Sequence, residues 1–297
     1  MASPAASSLP YAQRERLRFV EATLMWEGQL QRARVSEVFG VAANHVTKDL
    51  REYETAYPNS LVFEPRRRAY VPGPRFKPRI ASSDPGEYLA LQLAYVHTGA
   101  SVVTPWIGGG AGIPSVGVPV PAHGIHSPVL RAVLCALHQH EGVDVVYHSS
   151  TGAGASRRRV WPHALVHTGV RWHVRGYDAQ TETFRQFSLG RMDSAQLVRA
   201  VCPVEVGEDA DWITEVTLEV VPHSGLNNHQ RAVVVRDFGM SETEHGPAWR
   251  VVLRRCLVGY FVQRYGLDAA KPQLPRHRIV LRDPQAVRSL LLPDQVA

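Results

Sequence analysis

VRWHVRGY, residues 170–177, is the stretch whose reading decides the fold. In an extended strand successive side chains point to opposite faces. Val170, Trp172, Val174 and Gly176 therefore share one face, and Arg171, His173, Arg175 and Tyr177 share the other. Around it, VDVVYH, RRRVWPHALVH, FRQFSL and LVRAVCPV are further short strand-like runs joined by Gly, Asp and Ser turns. Close spacing of such runs predicts a small β-barrel. In RRRVWPHALVH the same alternation aligns Arg157, Arg159, Trp161 and His163. Ser149 and Ser150 end the first strand, and Arg185 and Arg191 lie on or beside the fourth. Several arginines with histidine, tyrosine and serine hydroxyls suit a phosphate or nucleotide-like anion. Taken singly each is an ordinary surface residue, and only the group points to a site.

Downstream, from Trp212, the period changes. Strand-like TEVTLEVV, AWRVVLRR and HRIVL alternate with helix-like GLNNHQRAVVVRDF, LVGYFVQRYGL and PQAVRSLLL, which predicts a small α/β unit. Upstream, a helix is expected from Pro128 to about His140, preceded by a Gly-, Pro- and Val-rich stretch that is the clearest linker in the chain. Residues 84–98 read as a helix capped by Asp84 with Pro85 just inside.

At the front, Leu17, Val20 and Leu24 recur at helical spacing between Tyr11 and about Glu27. A short second helix covers roughly Arg34 to Phe39 and closes at Gly40. A third starts near Ala42 and buries Ala43, Val46, Leu50, Tyr53 and Tyr57 before Pro58 ends it. LVFE and RAYVP then read as strands around a PRR turn. Three short helices and a two-stranded ribbon are the layout of a winged helix-turn-helix. With its apolar stripe turned inward, the third helix leaves Asn44, His45, Thr47, Lys48 and Arg51 outside, groups able to meet base edges and phosphates. The wing turn carries Arg66, Arg67 and Arg68, suited to a minor groove or adjacent phosphates. Asp49, Glu52 and Glu54 on the same helix would repel phosphate and weigh against this reading.

Charge distribution supports a polyanion at this end. Residues 1–80 hold 13 Lys/Arg against 8 Asp/Glu, whereas the remaining 217 hold 20 against 19. An arginine-rich solvated surface would give the same imbalance, so charge alone leaves the two readings even. The three cysteines (Cys135, Cys202, Cys256) are far apart, which fits a reducing cytosol and offers no zinc or disulfide framework. No window reaches ~18 apolar residues, so no membrane span is expected. The first residues lack the apolar stretch of a secretory signal.

Enzyme signatures are tested and fail. GGGAGIP at 108–114 departs from G-x-G-x-x-G, and there is no phosphate-loop G-x-x-x-x-G-K-[ST], H-E-x-x-H or C-x-x-C pair. Ser149 with His163 has no placed acid and no G-x-S-x-G turn. No enzyme, metal or cofactor is expected.

The central strands carry a family resemblance. YHSS at 147–150, RRVWPHALV at 158–166, RWHVRGY at 171–177 and FRQFSLGRM at 184–192 resemble the WYL domain, an Sm/SH3-like barrel of bacterial transcriptional regulators. Trp172-His173-Val174 replaces the name-giving triplet and is similar to the RWHVRAY version in WYL regulators encoded beside phage-defence operons of BREX and CBASS types. The resemblance covers the whole chain and implies a multidomain α+β protein in four segments. These are a winged helix-turn-helix with a connecting helix (1–98), a Gly/Pro-rich linker (99–127), a WYL sensing domain (128–206) and a small α/β dimerisation domain (207–297). It implies a cytoplasmic homodimeric repressor of an inverted-repeat operator that responds to a nucleotide or nucleic-acid effector. The ligand-facing positions it implies are Ser149, Arg159, His163, His173, Arg175, Tyr177 and Arg191. Two rivals remain: an accessory nucleic-acid-binding module acting on a partner enzyme, and a nucleotide-processing enzyme using the arginine-rich face. For the second, no convincing general base with a metal or nucleophile is found.

Overall fold

The computed structural model describes residues 9–98, 116–119, 124–150, 154–269 and 271–291. Within it the chain divides into two compact units, one within residues 1–121 and the other within 122–297. The expected linker at 99–127 lies largely outside the described residues.

In the first unit α1 (Tyr11–Glu27), α2 (Arg32–Phe39) and α3 (Ala43–Ala56) precede the hairpin β1 (Leu61–Glu64) and β2 (Ala69–Pro72), and α4 (Pro85–Thr98) follows. Glycines end the first two helices because the C-cap residue turns left-handed: Gly28 has φ 73° and Gly40 φ 62°. Leu17, Val20, Leu24, Val35, Val46, Leu50 and Tyr53 form the core. Leu30 exchanges both backbone hydrogen bonds with Tyr70 at 2.8 Å, adding a third edge to the wing.

Two acidic side chains, Glu21 and Asp49, are interior. Glu21 is fully buried; its Oε1 accepts from the Tyr53 hydroxyl at 2.7 Å, and its Oε2 accepts from the backbone N–H groups of Arg79, Ile80 and Ala81 at 2.7–2.8 Å. Burial first, and then the Glu21 charge, raises the Tyr53 pKa far above the usual phenol range, so this hydroxyl stays a donor.

In the second unit α5 (Ser127–Gln139) precedes β3 (Glu141–His148), β4 (Ala155–His167), β5 (Trp172–Asp178), β6 (Thr183–Ser188) and β7 (Met192–Val201). They form one antiparallel sheet in the order β6-β5-β4-β3-β7. Val129, Val133 and Ala136 of α5 pack on Val143, Val145, Tyr147, Val160, Val174 and Phe187. The closed barrel expected from the strand spacing, and given an Sm/SH3-like form by the WYL resemblance, is not observed: no ladder joins β6 to β7 among the described residues. The chain runs from six-residue β6 through a 3₁₀ turn at Leu189–Arg191 into β7, which pairs with β3 instead. The 13-residue β4 bends at an irregularity between Pro162 and Ala164, where proline cannot donate to the ladder.

A short helix α6 (Ala210–Ile213) leads into β8 (Glu215–Pro222), α7 (Asn228–Asp237), β9 (Trp249–Arg254), α8 (Val258–Tyr265) and β10 (Ile279–Leu281). The three strands pair in the order β10-β8-β9 over a core that includes Leu218, Val220, Val234, Val258, Val262 and Ile279. The helix expected at PQAVRSLLL is only a 3₁₀ turn at Arg288–Leu290. Asp283 there caps the N–H groups of Gln285 and Ala286 around Pro284, closing a turn in place of a first helical turn.

Candidate DNA interface and sensor face

On α3 the buried stripe is Val46, Asp49, Leu50 and Tyr53. Asn44, His45, Lys48 and Arg51 stand exposed or nearly so, and Thr47 lies among them. Thr47 Oγ1 donates to the Ala43 carbonyl at 2.9 Å and accepts from Arg32 Nη1 at 3.1 Å, so it is already engaged. Arg66, Arg67 and Arg68 are all exposed on the β1–β2 turn, where Arg68 adopts φ 50°.

The acidic residues that weigh against a phosphate-facing helix are turned to other work. Asp49 faces inward and accepts from Arg16 Nε at 2.6 Å. Glu54 accepts the backbone N–H groups of Asn59 and Leu61 at 2.8 and 3.0 Å, fixing the approach to β1. Glu52 takes Gln13 Nε2 at 2.6 Å and lies 3.8 Å from Lys48 Nζ. An exposed pair at that separation is weak and is easily exchanged for a phosphate.

In the second unit the polar face of β5 is not open. His173 and Arg175 are 7% and 5% exposed, while Val174 and Gly176 on the opposite face are also buried. The residues that cover the polar face come from the linker before β8 and from α8. Arg175 donates from Nε and Nη2 to the two oxygens of Asp209 at 2.8 and 2.6 Å, and His163 Nε2 lies 2.9 Å from Asp209 Oδ2. Trp212 and Phe184 meet the His163 ring edge-on at 5.2 and 5.7 Å. Burial lowers the His163 pKa, against the pull of Asp209, which raises it. Burial of Asp209 acts to raise its own carboxyl pKa, but Arg175 and His163 outweigh it and hold the group below its usual range.

A second group gathers near the start of β5. The His173 ring lies 5.4 Å from that of Tyr260, and its Nδ1 is 3.3 Å from the Arg171 carbonyl. Burial pushes the His173 pKa down to about 4, and the positive charges of Arg191 and Arg171 push the same way. A cavity of about 320 Å³ opens here between Arg171, His173, Tyr260, Gln263 and Arg264. Gly169 lies against this group at φ 86°, where an added Cβ would sit 1.4 Å from Arg264 Nη1.

The seven residues expected to face a ligand thus separate. His163 and Arg175 converge on Asp209, and Tyr177 adjoins them through Phe184 at 5.3 Å. His173 belongs to the second group, and Arg191 acts on it through its charge. Arg159 is exposed and held by Asp144 of the neighbouring strand at 2.7 and 2.9 Å. Ser149 is half-buried just past the end of β3. The polar face of β5 is therefore covered, because the chain's own Asp209 carboxylate occupies its centre. Asp209, Trp212, Tyr260 and Arg264 escape sequence reasoning. The only local signal is Asp209 as N-cap of a short Ala-Asp-Trp-Ile turn, where its side chain accepts from the Trp212 N–H.

Comparison with known proteins matches three family models in the same order. Residues 12–94 match the BrxR transcriptional regulator winged helix-turn-helix domain, residues 128–197 the WYL domain, and residues 215–287 the BrxR transcriptional regulator C-terminal dimerization domain. The DNA-binding transcriptional repressor CapW of Stenotrophomonas maltophilia is 29% identical over 99% of this chain and 97% of its own length. That of Pseudomonas aeruginosa is 29% identical over 95% of this chain and 92% of its own. CapW of Escherichia coli (strain KTE188) is 30% identical over 79% and 77%. Three matched domains in this order, with a relative at that identity and coverage, place the chain in one family: it belongs with the CapW repressors, built from a BrxR-type winged helix, a WYL domain and a C-terminal dimerization domain.

Proposed function

We propose that this protein is a homodimeric, sequence-selective repressor, acting in the cytoplasm on an operator with inverted-repeat symmetry in a phage-defence operon. Asn44, His45, Thr47, Lys48 and Arg51 read the major groove, and Arg66, Arg67 and Arg68 grip the backbone or minor groove beside it. The observation that carries this reading is the disposal of charge on α3. Its cations stand exposed, while Asp49 and Glu54 are bonded into the fold. Two copies joined through the C-terminal domain would match two half-sites about one helical turn apart.

We further infer that the WYL sheet receives a nucleotide or nucleic-acid fragment. Ser149, Arg159, His163, His173, Arg175, Tyr177 and Arg191 remain the candidate positions, now with Arg171, Tyr260 and Arg264 around the cavity. Arg175 and Arg159 each grip a carboxylate of the chain at two points, a geometry that suits phosphate as well and supports an anionic effector. A promoter-reporter assay tests this part. Arg191→Ala and Arg159→Ala should leave repression intact and abolish induction; normal induction in both would remove these two positions from the effector site. Operator against scrambled duplex in a gel shift separates this reading from a nonspecific accessory module, which would bind the two alike.

A further inference from the structure

We propose that residues 209–214 are a relay, in which Asp209 occupies as a built-in anion the place on Arg175 and His163 that the effector must take. This rests on the effector reading above and adds how occupancy reaches the dimerization domain. Asp209 lies outside both matched regions, after the WYL match ends at 197 and before the dimerization match begins at 215. It is nevertheless only 2% exposed. It takes both donors of one face of Arg175, lies 2.9 Å from the His163 Nε2, and accepts the Trp212 N–H at 3.2 Å. A side-on guanidinium gripping two oxygens is the geometry by which arginine holds phosphate as well as carboxylate.

The far side of the same segment is tied to the dimerization domain. The Arg254 guanidinium donates to the Trp212 carbonyl and lies 4.1 Å from its ring centroid. Arg255 pairs with Asp211 at 3.3 Å, and its N–H bonds the Thr214 carbonyl at 2.8 Å. Helix α6 between these ties has four residues and buries none of them. Polar contacts from its two sides, rather than a core of its own, therefore set its position. Elements of this kind open at low cost.

An incoming phosphate brings more charge and more acceptor oxygens than a carboxylate. Taking Arg175 and His163, it displaces Asp209, removes the cap of α6 and parts Trp212 from His163. The ties at Arg254 and Arg255 pass that movement to β9 and the dimer. The effector acts because it binds the displaced state better than the latched one.

The test uses the full-length dimer with 5′-phosphorylated tetrathymidylate, AMP and inorganic pyrophosphate as probes. Asp209→Asn keeps the oxygen that caps Trp212 and removes the charge. It should raise probe affinity at least about tenfold by calorimetry and lower operator affinity without probe by a similar factor, about the 1.4 kcal/mol that tenfold represents. Arg254→Gln should leave probe affinity within about twofold of the parent while the probe no longer shifts operator binding. In the unaltered protein, saturating probe should strip hydrogen-exchange protection from the amides of 209–214, a reading independent of how either variant folds. Unchanged protection under saturating probe, or Asp209→Asn with parental operator affinity, would overturn the relay. Weakened operator binding by Asp209→Asn with no probe bound by the parent would uphold the relay and remove the effector class.

Discussion

Glu21→Ala tests the polar anchor of the winged helix. The substitution removes the acceptor for four donors: the Tyr53 hydroxyl, buried within the core, and the N–H groups of Arg79, Ile80 and Ala81. A buried donor left without a partner costs about 1–3 kcal/mol. The Tyr53 hydroxyl should bear that in full, because it is buried with Glu21. The three backbone groups are partly accessible and should recover part of theirs by hydration, so the destabilisation should total about 4 kcal/mol. Glu21→Gln retains an acceptor oxygen for the backbone cluster and should cost only about 1–2 kcal/mol. Because a multidomain chain does not unfold as one unit, the assay is native-state hydrogen exchange of the α1 and α3 amides in the full-length protein. A destabilisation below about 1 kcal/mol in Glu21→Ala, or equal effects in the two variants, would refute the anchoring role.

Further consequences concern other parts of the molecule. Asp178 is fully buried against Arg158 at 2.6 Å, so Arg158→Ala should cost about 3–5 kcal/mol by native-state hydrogen exchange of the WYL-sheet amides; a cost under about 1 kcal/mol would count against it. With a folded-state pKa of about 4, His173 stays neutral where the unfolded chain takes up a proton. Stability should therefore rise with pH between about 4 and 6.5, by about 3 kcal/mol at the limit. His173→Gln should flatten that part of the profile, and an unchanged slope would contradict the burial argument. Gly169→Ala meets both a left-handed backbone and the Arg264 guanidinium, so it should destabilise by about 1–2 kcal/mol. The same change should disturb effector response, which a normal reporter would deny. Replacing Arg66, Arg67 and Arg68 together by alanine should reduce the salt slope of operator binding by about 1 for each phosphate no longer neutralised, as read from anisotropy titrations at several salt concentrations.

Much of the architecture is legible because it is written in local periodicity. Val46, Leu50 and Tyr53 mark the inner stripe of α3, Gly28 and Gly40 mark two helix ends, and the five central strands fall near where their apolar alternation puts them. What stays hidden depends on partners far along the chain. Asp49 reads as a solvent-facing acid until Arg16, 33 residues earlier, is placed beside it. Glu21 falls at helical spacing from Leu17 and Leu24, on the apolar stripe itself, and the partners that let a carboxylate sit there appear only once residues 79–81 fold back. The polar half of VRWHVRGY reads as open because alternation says which side chains share a face, not what lies on it. Asp209, 34 residues beyond Arg175, supplies that cover. Barrel closure fails for a related reason: spacing predicts the number of strands but not which edge β7 chooses.

The central claim is that α3 presents its cations to operator DNA, and Lys48→Ala and Arg51→Ala test it most directly in anisotropy titrations at matched salt. Both variants should remain folded dimers and bind the operator at least about fivefold more weakly, because a side chain that meets a base edge contributes about 1–3 kcal/mol. Parental affinity in both variants would contradict it.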